Sequence, residues 1–206
     1  LETRDVDGAR LYSPSAGRNK GVISDILGDR LCRGARVLEI AAGTGEHAAN
    51  ICAVRPDIIW QPSDPDAASR ASQDAWASGL QRQILPSLPI DTSIEGWERE
   101  LGPFEAIFCA NMIHIAPWEA ALGLAKGAST VLSSGGALFL YGPFQEGDAT
   151  APSNLAFDKT LKQRNPAWGV RDLHSVKHIF AQNGLGFVRA VSMPRDNFFL
   201  EFTAAK

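Results

Sequence analysis

The chain has 206 residues, 45% hydrophobic and 21% charged, with 19 Gly and 12 Pro; this ordinary globular composition excludes collagen-like, low-complexity and disordered classes. Lys and Arg number 20 against 23 Asp and Glu, and the resulting formal charge of -3 argues against a mainly electrostatic nucleic-acid binder. At this length folding buries roughly 70% of the unfolded chain's surface, so a single domain over residues 1–206 needs no disulfide or metal staple.

Residues 1–18 form an N-terminal arm. It carries Glu2, Asp5 and Asp7 and lacks the apolar core of a signal peptide. Leu1 stands where an initiating Met would, so native residues are expected ahead of it. No apolar run reaches the ~18 residues that span a bilayer. Cys32, Cys52 and Cys109 are scattered and odd in number, which reads as reduced thiols. The chain is expected to be cytoplasmic.

Beyond the arm, short apolar runs alternate with helical stretches, the pattern of an α/β fold with a mostly parallel sheet. A helix is expected from Asn19 to Leu31, with Val22, Ile23, Ile26, Leu27 and Leu31 at helical period. Strand-like runs follow at Arg36–Ala41, Ile58–Gln61, more weakly Ile84–Ile90, then Phe104–Ala110 and Ala137–Tyr141. Between them helices are expected over Gly45–Val54, from Pro65 and from Pro117, proline suiting a first helical position. Ser153 is expected to cap a helix to Arg164, and Asp172 to cap the last helix, which Gly184 stops. The runs Gly186–Ser192 and Asn197–Phe202 are separated by four residues, too few for a crossover, and must form an antiparallel hairpin. Gly142–Val170 is long for a connection and reads as a lid or substrate-binding excursion.

The chemistry concentrates in Val37-Leu38-Glu39-Ile40-Ala41-Ala42-Gly43-Thr44-Gly45-Glu46-His47. A strand ends in small residues and turns into a helix, and Gly43 and Gly45 let backbone approach a ligand. Gly43 to Ala48 also satisfies GxGxxA, so a dinucleotide site competes. Asp64, 21 residues after Gly43, is placed to accept ribose hydroxyls or to cap the next helix. A carboxylate at Glu39 disfavours a pyrophosphate and suits a cation such as S-adenosylmethionine (SAM), unless it is simply a buried, hydrogen-bonded acid. Asp91 follows the third run, either near an adenine or in a turn, and Asn111 ends the fourth strand. Open parallel sheets bind ligands at the carboxyl ends of their strands, where Glu39, Asp64, Asp91 and Asn111 are expected.

These elements resemble a class I SAM-dependent methyltransferase, and more closely a small family of uncertain substrate that includes methyltransferase-like protein 26. The matching stretches run from Ser13–Lys20 through Val37–His47, Trp60–Pro65, Ala110–Trp118, Leu140–Phe144 and Ala151–Asn154 to Pro166–Asp172. Asn111-Met112-Ile113-His114-Ile115 and Trp168-Gly169-Val170-Arg171-Asp172 are the most unusual. The resemblance implies a Rossmann-like, seven-stranded, mostly parallel sheet with the last strand antiparallel and helices on both faces. It implies that Gly43 and Gly45 line the methionine part of SAM, Asp64 holds the ribose, Asp91 approaches the adenine and Asn111 serves the amino acid group. Ala41 stands where the commoner form has glycine.

Methyl transfer from a sulfonium is an in-line displacement without metal or covalent enzyme intermediate; the protein aligns the acceptor and removes its proton where it carries one. His114 is the candidate base, titrating near ~6.5 if unperturbed, or else it shapes the acceptor site. His47 is a candidate neighbour of SAM. Arg18, Asn19 and Lys20, expected ahead of the first helix, are candidates to pair with the SAM carboxylate or an anionic substrate, or form an exposed helix start. Tyr12, Met112, Trp118, Tyr141, Phe144 and Trp168 are candidates for the acceptor site, with two or three aromatics expected to line it. His174 and His178 lack a third ligand at metal spacing. The expectation is a small-molecule acceptor and no nucleic-acid or membrane partner, against two alternatives: a NAD-dependent oxidoreductase and a SAM-binding adaptor without turnover.

Overall fold

A computed structural model describes residues 3–204. A short hairpin, β1 (Asp5–Asp7) and β2 (Arg10–Tyr12), leads into α1 (Pro14–Arg30). There follow β3 (Arg36–Ile40), α2 (Glu46–Val54), β4 (Ile59–Pro62), α3 (Ala67–Trp76), β5 (Phe104–Ala110) and a 3-10 turn over Met112–His114. The rest is α4 (Trp118–Val131), β6 (Leu132–Gln145), α5 (Pro152–Arg164), β7 (Arg171–Asp172), α6 (Leu173–Gln182), β8 (Leu185–Met193) and β9 (Asn197–Ala204). The seven-stranded sheet has the order β4-β3-β5-β6-β9-β8, with β7 pairing off β6, and β9 is antiparallel to both its neighbours. This is the expected α/β architecture with its reversed strand at the terminal hairpin.

The chain divides into two compact units, Leu1–Ile90 with Phe104–Ala106, and Asp91–Pro103 with Ile107–Lys206. In the first, β3 and β4 pair in parallel from Arg36↔Ile59 to Glu39↔Pro62. Both are largely buried, which is why their sequence reads as apolar runs without alternation. In the second, β6 and β9 pair antiparallel, and Phe139, Phe199, Phe202 and Phe180 fill the core beside them.

Several boundaries move for local reasons. The first helix begins at Pro14, not Asn19, because the Ser13 side chain caps it by accepting from Ala16 N, with Pro14 at the first helical position. Arg18, Asn19 and Lys20 are therefore inside the helix. Asp66, not Asp64, caps α3 by accepting from Ser69 N at 2.8 Å. Ala151 precedes Pro152 at the start of α5, so Ser153 is inside that helix. The weak run Ile84–Ile90 forms only isolated bridges to Trp60 and Ser63; the seventh strand is the two-residue β7 instead.

Candidate functional site

In the first unit, the segment joining β3 to α2 bends through three left-handed residues, Ala41 (φ 54°), Gly43 (φ 57°) and Gly45 (φ 91°). Ala41 carries a side chain in a conformation that costs an L-residue roughly 1 kcal/mol, strain of the kind that clusters at ligand sites. Gly45 is irreplaceable on space alone, since an added Cβ would lie 2.8 Å from the Gln73 Cα of α3. Helix α3 in turn fixes the bend: Gln73 Nε2 donates to Gly43 O at 3.0 Å and Ser72 Oγ to Thr44 O at 2.7 Å.

Asp64 closes the bend from the end of β4. Its Oδ2 accepts from Gly43 N at 3.0 Å and its Oδ1 from Asp66 N at 2.9 Å. Burial pushes the carboxyl up from its ordinary value, and the two backbone donors pull against that. A carboxylate has about four lone-pair directions, so two N–H donors leave it able to accept hydroxyls as well. A cation is already seated here. Arg4 Nη1 donates to Ser69 Oγ at 3.0 Å, Nη2 is 3.7 Å from a Cβ built on Gly43, and the guanidinium favours the charged forms of Asp64 and Asp66.

Glu39 points inward, only 1% exposed, where its Oε2 accepts from Trp60 Nε1 at 2.8 Å. Instead of facing a ligand directly it is the buried, hydrogen-bonded acid, with His47 Nδ1 3.7 Å from its other oxygen. His47 Nε2 meets Asn19 Oδ1 at 2.9 Å, so Asn19 and His47 form one chain with Glu39 and Trp60. Lys20 pairs with Glu46 at 3.2 Å, and Arg18 is exposed on α1. Tyr12 packs edge-on against Trp76 with centroids 5.0 Å apart.

In the second unit, Asn111 takes the left-handed φ of 58° at the end of β5, and its N–H donates to Tyr141 O at 2.7 Å. This turns the chain into Met112–His114. His114 is 1% exposed and neither ring nitrogen has a hydrogen-bond partner among the described residues. Burial, assisted by the positive charge of Arg171, pushes its pKa down to about 3. The expectation of titration near 6.5 is corrected: the imidazole is neutral throughout the physiological range. It packs edge-on against Phe144 at 5.3 Å, and a Cβ on Gly142 would lie 2.2 Å from its Nε2. An orphaned buried polar pair is rare and costly, and a polar ligand would repay that cost.

Of the acceptor candidates in this unit, Phe144 touches His114, and Met112 and Tyr141 are buried beside its chain segment. Trp118 lies 5.5 Å below the Arg171 guanidinium, and Trp168 N donates to Asn165 O at 2.9 Å. Asp91 makes a turn, accepting at one oxygen from Ser93 N at 2.9 Å and Ser93 Oγ at 2.6 Å. Among the described residues no group of three or more His, Cys, Asp or Glu is placed to hold a metal, and no helix is long and apolar enough to cross a membrane.

Sequence reasoning missed Glu46, Arg4, Gly142 and Arg171. Glu46 is 3% exposed and gathers Ser13 N at 2.8 Å, Thr44 Oγ1 at 3.0 Å and Lys20, which ties the arm to the glycine bend. An acid directly after a GxG turn was the available signal for it. Arg4 and Gly142 act through long-range approach and leave no local pattern.

A family model described as a protein of unknown function (DUF938) matches residues 10–204. Among solved structures the chain is similar to an O-methyltransferase family protein from Burkholderia thailandensis, with TM-score 0.79 and 15% identity over 93% of this chain and 57% of that one. It is also similar to the S-adenosylmethionine-dependent methyltransferase SibL in its apo form (TM-score 0.76, 16% identity, 93% and 56%). A third is CalO1, a methyltransferase in calicheamicin biosynthesis, in its SAH bound form (TM-score 0.75, 14% identity, 93% and 54%). The chain spans a little over half the length of these structures, and the likeness shows that it has the class I methyltransferase fold.

Proposed function

The chain belongs to the DUF938 family, and we propose that it is a metal-independent SAM-dependent methyltransferase acting on a small molecule, akin to the small family that includes methyltransferase-like protein 26. The observation that carries this is the left-handed bend at Gly43 and Gly45 closed by buried Asp64, on a fold shared with SAM-dependent methyltransferases. Asp64 suits the ribose of an adenosyl compound or of a dinucleotide; the methyltransferases that share the fold favour the adenosyl compound.

On this reading Gly43 and Gly45 admit the methionine part and Asp64 accepts from the ribose hydroxyls; Asp91 and Asn111 keep the adenine and amino acid roles that the family resemblance assigns. Glu39 and His47 support the bend from below. Bound there, SAM supplies a methyl group on a positively charged sulfur. His114 holds the acceptor by hydrogen bonding, with Phe144 beside it.

The neutral imidazole favours an oxygen acceptor. A hydroxyl becomes strongly acidic as its oxygen bonds to carbon, and even a base with pKa about 3 can take that proton. An ammonium near pKa ~10 would have to lose its proton to a group some seven units less basic, at roughly 10 kcal/mol. The O-methyltransferases of the same fold are consistent with this. The weak net charge supports a small acceptor over a nucleic acid.

The test is incubation with methyl-labelled SAM and the low-molecular-weight fraction of a cell extract, with products identified by mass spectrometry. A methyl ether or ester whose formation requires His114 is expected. Tight SAM binding with no labelled small molecule, together with a stable protein complex, would favour the adaptor alternative.

A further inference from the structure

The string Trp168-Gly169-Val170-Arg171-Asp172 finds a role in the second unit. It lies along the turn that carries His114 and holds its backbone at three carbonyls. Gly169 N donates to His114 O at 2.9 Å, Arg171 Nε to Ile113 O at 2.8 Å, and Arg171 Nη2 to Ala116 O at 2.7 Å. The same Nη2 also donates to Ala167 O at 2.9 Å, which folds the segment back on itself.

This clasp is itself anchored. Val170 N donates to Asp158 Oδ1 at 2.9 Å, and Asp158 Oδ2 pairs with Lys162 at 2.6 Å on α5. Gly169 has no room for a side chain, since its Cβ would meet Asp158 Oδ1 at 2.8 Å. On the other side, β7 pairs in parallel with β6 at Phe144↔Arg171, so the residue that touches the imidazole and the residue that holds its backbone are register partners.

A 3-10 turn is a weak element with poor hydrogen-bond geometry, and left alone it would not hold a side chain to a fraction of an ångström. Arg suits the task because its planar fork reaches several carbonyls at once, whereas Lys presents a point charge. We propose that Arg171 is a positioning residue for the methyl-transfer site, fixing the Met112–His114 turn so that the His114 ring is presented to the acceptor. The proposal rests on the role given above to His114. The charged groups about the turn are Arg171 itself and, facing it, Asp158 and Glu119; Asn111, Gly142 and Phe144 around the ring carry no charge.

The test reads His114 directly. In the full chain with nitrogen-labelled histidine, the His114 ring signals are identified by their loss in His114→Gln. Their titration and the hydrogen exchange of the Gly169 amide are then compared in the parent, Arg171→Gln and Arg171→Lys proteins. Arg171→Gln is expected to raise the His114 titration midpoint and to speed Gly169 exchange at least tenfold. Arg171→Lys, which keeps the charge and loses the fork, is expected to hold the midpoint low while Gly169 exchange still quickens. A folded Arg171→Gln with both readouts at parent values overturns the proposal. If that variant does not fold, Arg171→Lys decides it, and parent-like Gly169 exchange there overturns it. Calorimetric SAM binding by the parent is measured in parallel. Its absence would sink the methyltransferase reading while the His114 data still judge the clasp.

Discussion

Gly142→Ala tests whether the His114 ring is held as tightly as the structure implies. The new Cβ would lie 2.2 Å from His114 Nε2, 3.0 Å from Cδ2 and 3.2 Å from Asn111 Oδ1. Ordinary contact begins about 1 Å farther out than the first of these, so the ring or strand β6 must shift by about that much. The ring is fully buried against Phe144, and overpacking of this kind costs about 1–3 kcal/mol. For a chain of this size each kcal/mol moves Tm by roughly 2–4 °C, so thermal unfolding should show a fall of about 2–12 °C. A double-mutant cycle isolates the clash. In a His114→Ala background the ring is gone, and Gly142→Ala should cost at least about 1 kcal/mol less than in the parent. The left-handed φ of 155° adds a backbone cost common to both backgrounds, which the cycle cancels. A neutral Gly142→Ala, or an equal cost in both backgrounds, would refute the packing described for His114.

Acid stability follows from the same residue. Its folded pKa of about 3 lies below the ordinary value of 6.5, so between those limits the unfolded chain binds more protons. Stability therefore falls as pH drops from 6.5 toward 3, by about 1.4 kcal/mol per unit from this group. Urea unfolding at several pH values should show His114→Gln with a shallower slope than the parent; parallel slopes would contradict the burial argument. Asp64→Ala removes the proposed acceptor for ribose hydroxyls, each charge-assisted bond being worth about 1.5–3 kcal/mol, and should weaken SAM and its demethylated product roughly 10- to 100-fold by calorimetry. Unchanged affinity would remove Asp64 from the site. Glu46→Ala strips Ser13 N, Thr44 Oγ1 and Lys20 of their common buried acceptor, so global stability should fall by about 1–3 kcal/mol and protease cleavage within residues 3–18 should quicken by more than that fall accounts for. Equal cleavage rates would show that Glu46 does not tie down the arm.

Much of the fold was legible because the deciding signals are local. Buried parallel strands such as Arg36–Ile40 read as apolar runs, and the three residues between β8 and β9 permit only a hairpin. Helix starts were less legible where several capping residues compete: Ser13-Pro14 outranked Asn19, and Asp66 outranked Asp64 because the latter is committed to the glycine bend. Of the candidate site, the Gly43–Asp64 pairing was legible through its spacing. The sequence leaves Glu39 open between a cation's partner and a buried, hydrogen-bonded acid, because the deciding contact comes from Trp60, 21 residues away on the neighbouring strand, which sequence alone cannot orient. The depressed pKa of His114 was hidden for the same reason, since it depends on burial beneath Gly142 and on Arg171.

Equilibrium calorimetry with SAM, S-adenosylhomocysteine and NADH on the folded chain judges the central claim most directly. Saturable binding of both adenosyl compounds at micromolar affinity or better, with no NADH binding, is the predicted result. NADH binding without SAM binding, or no binding of either adenosyl compound, would contradict it.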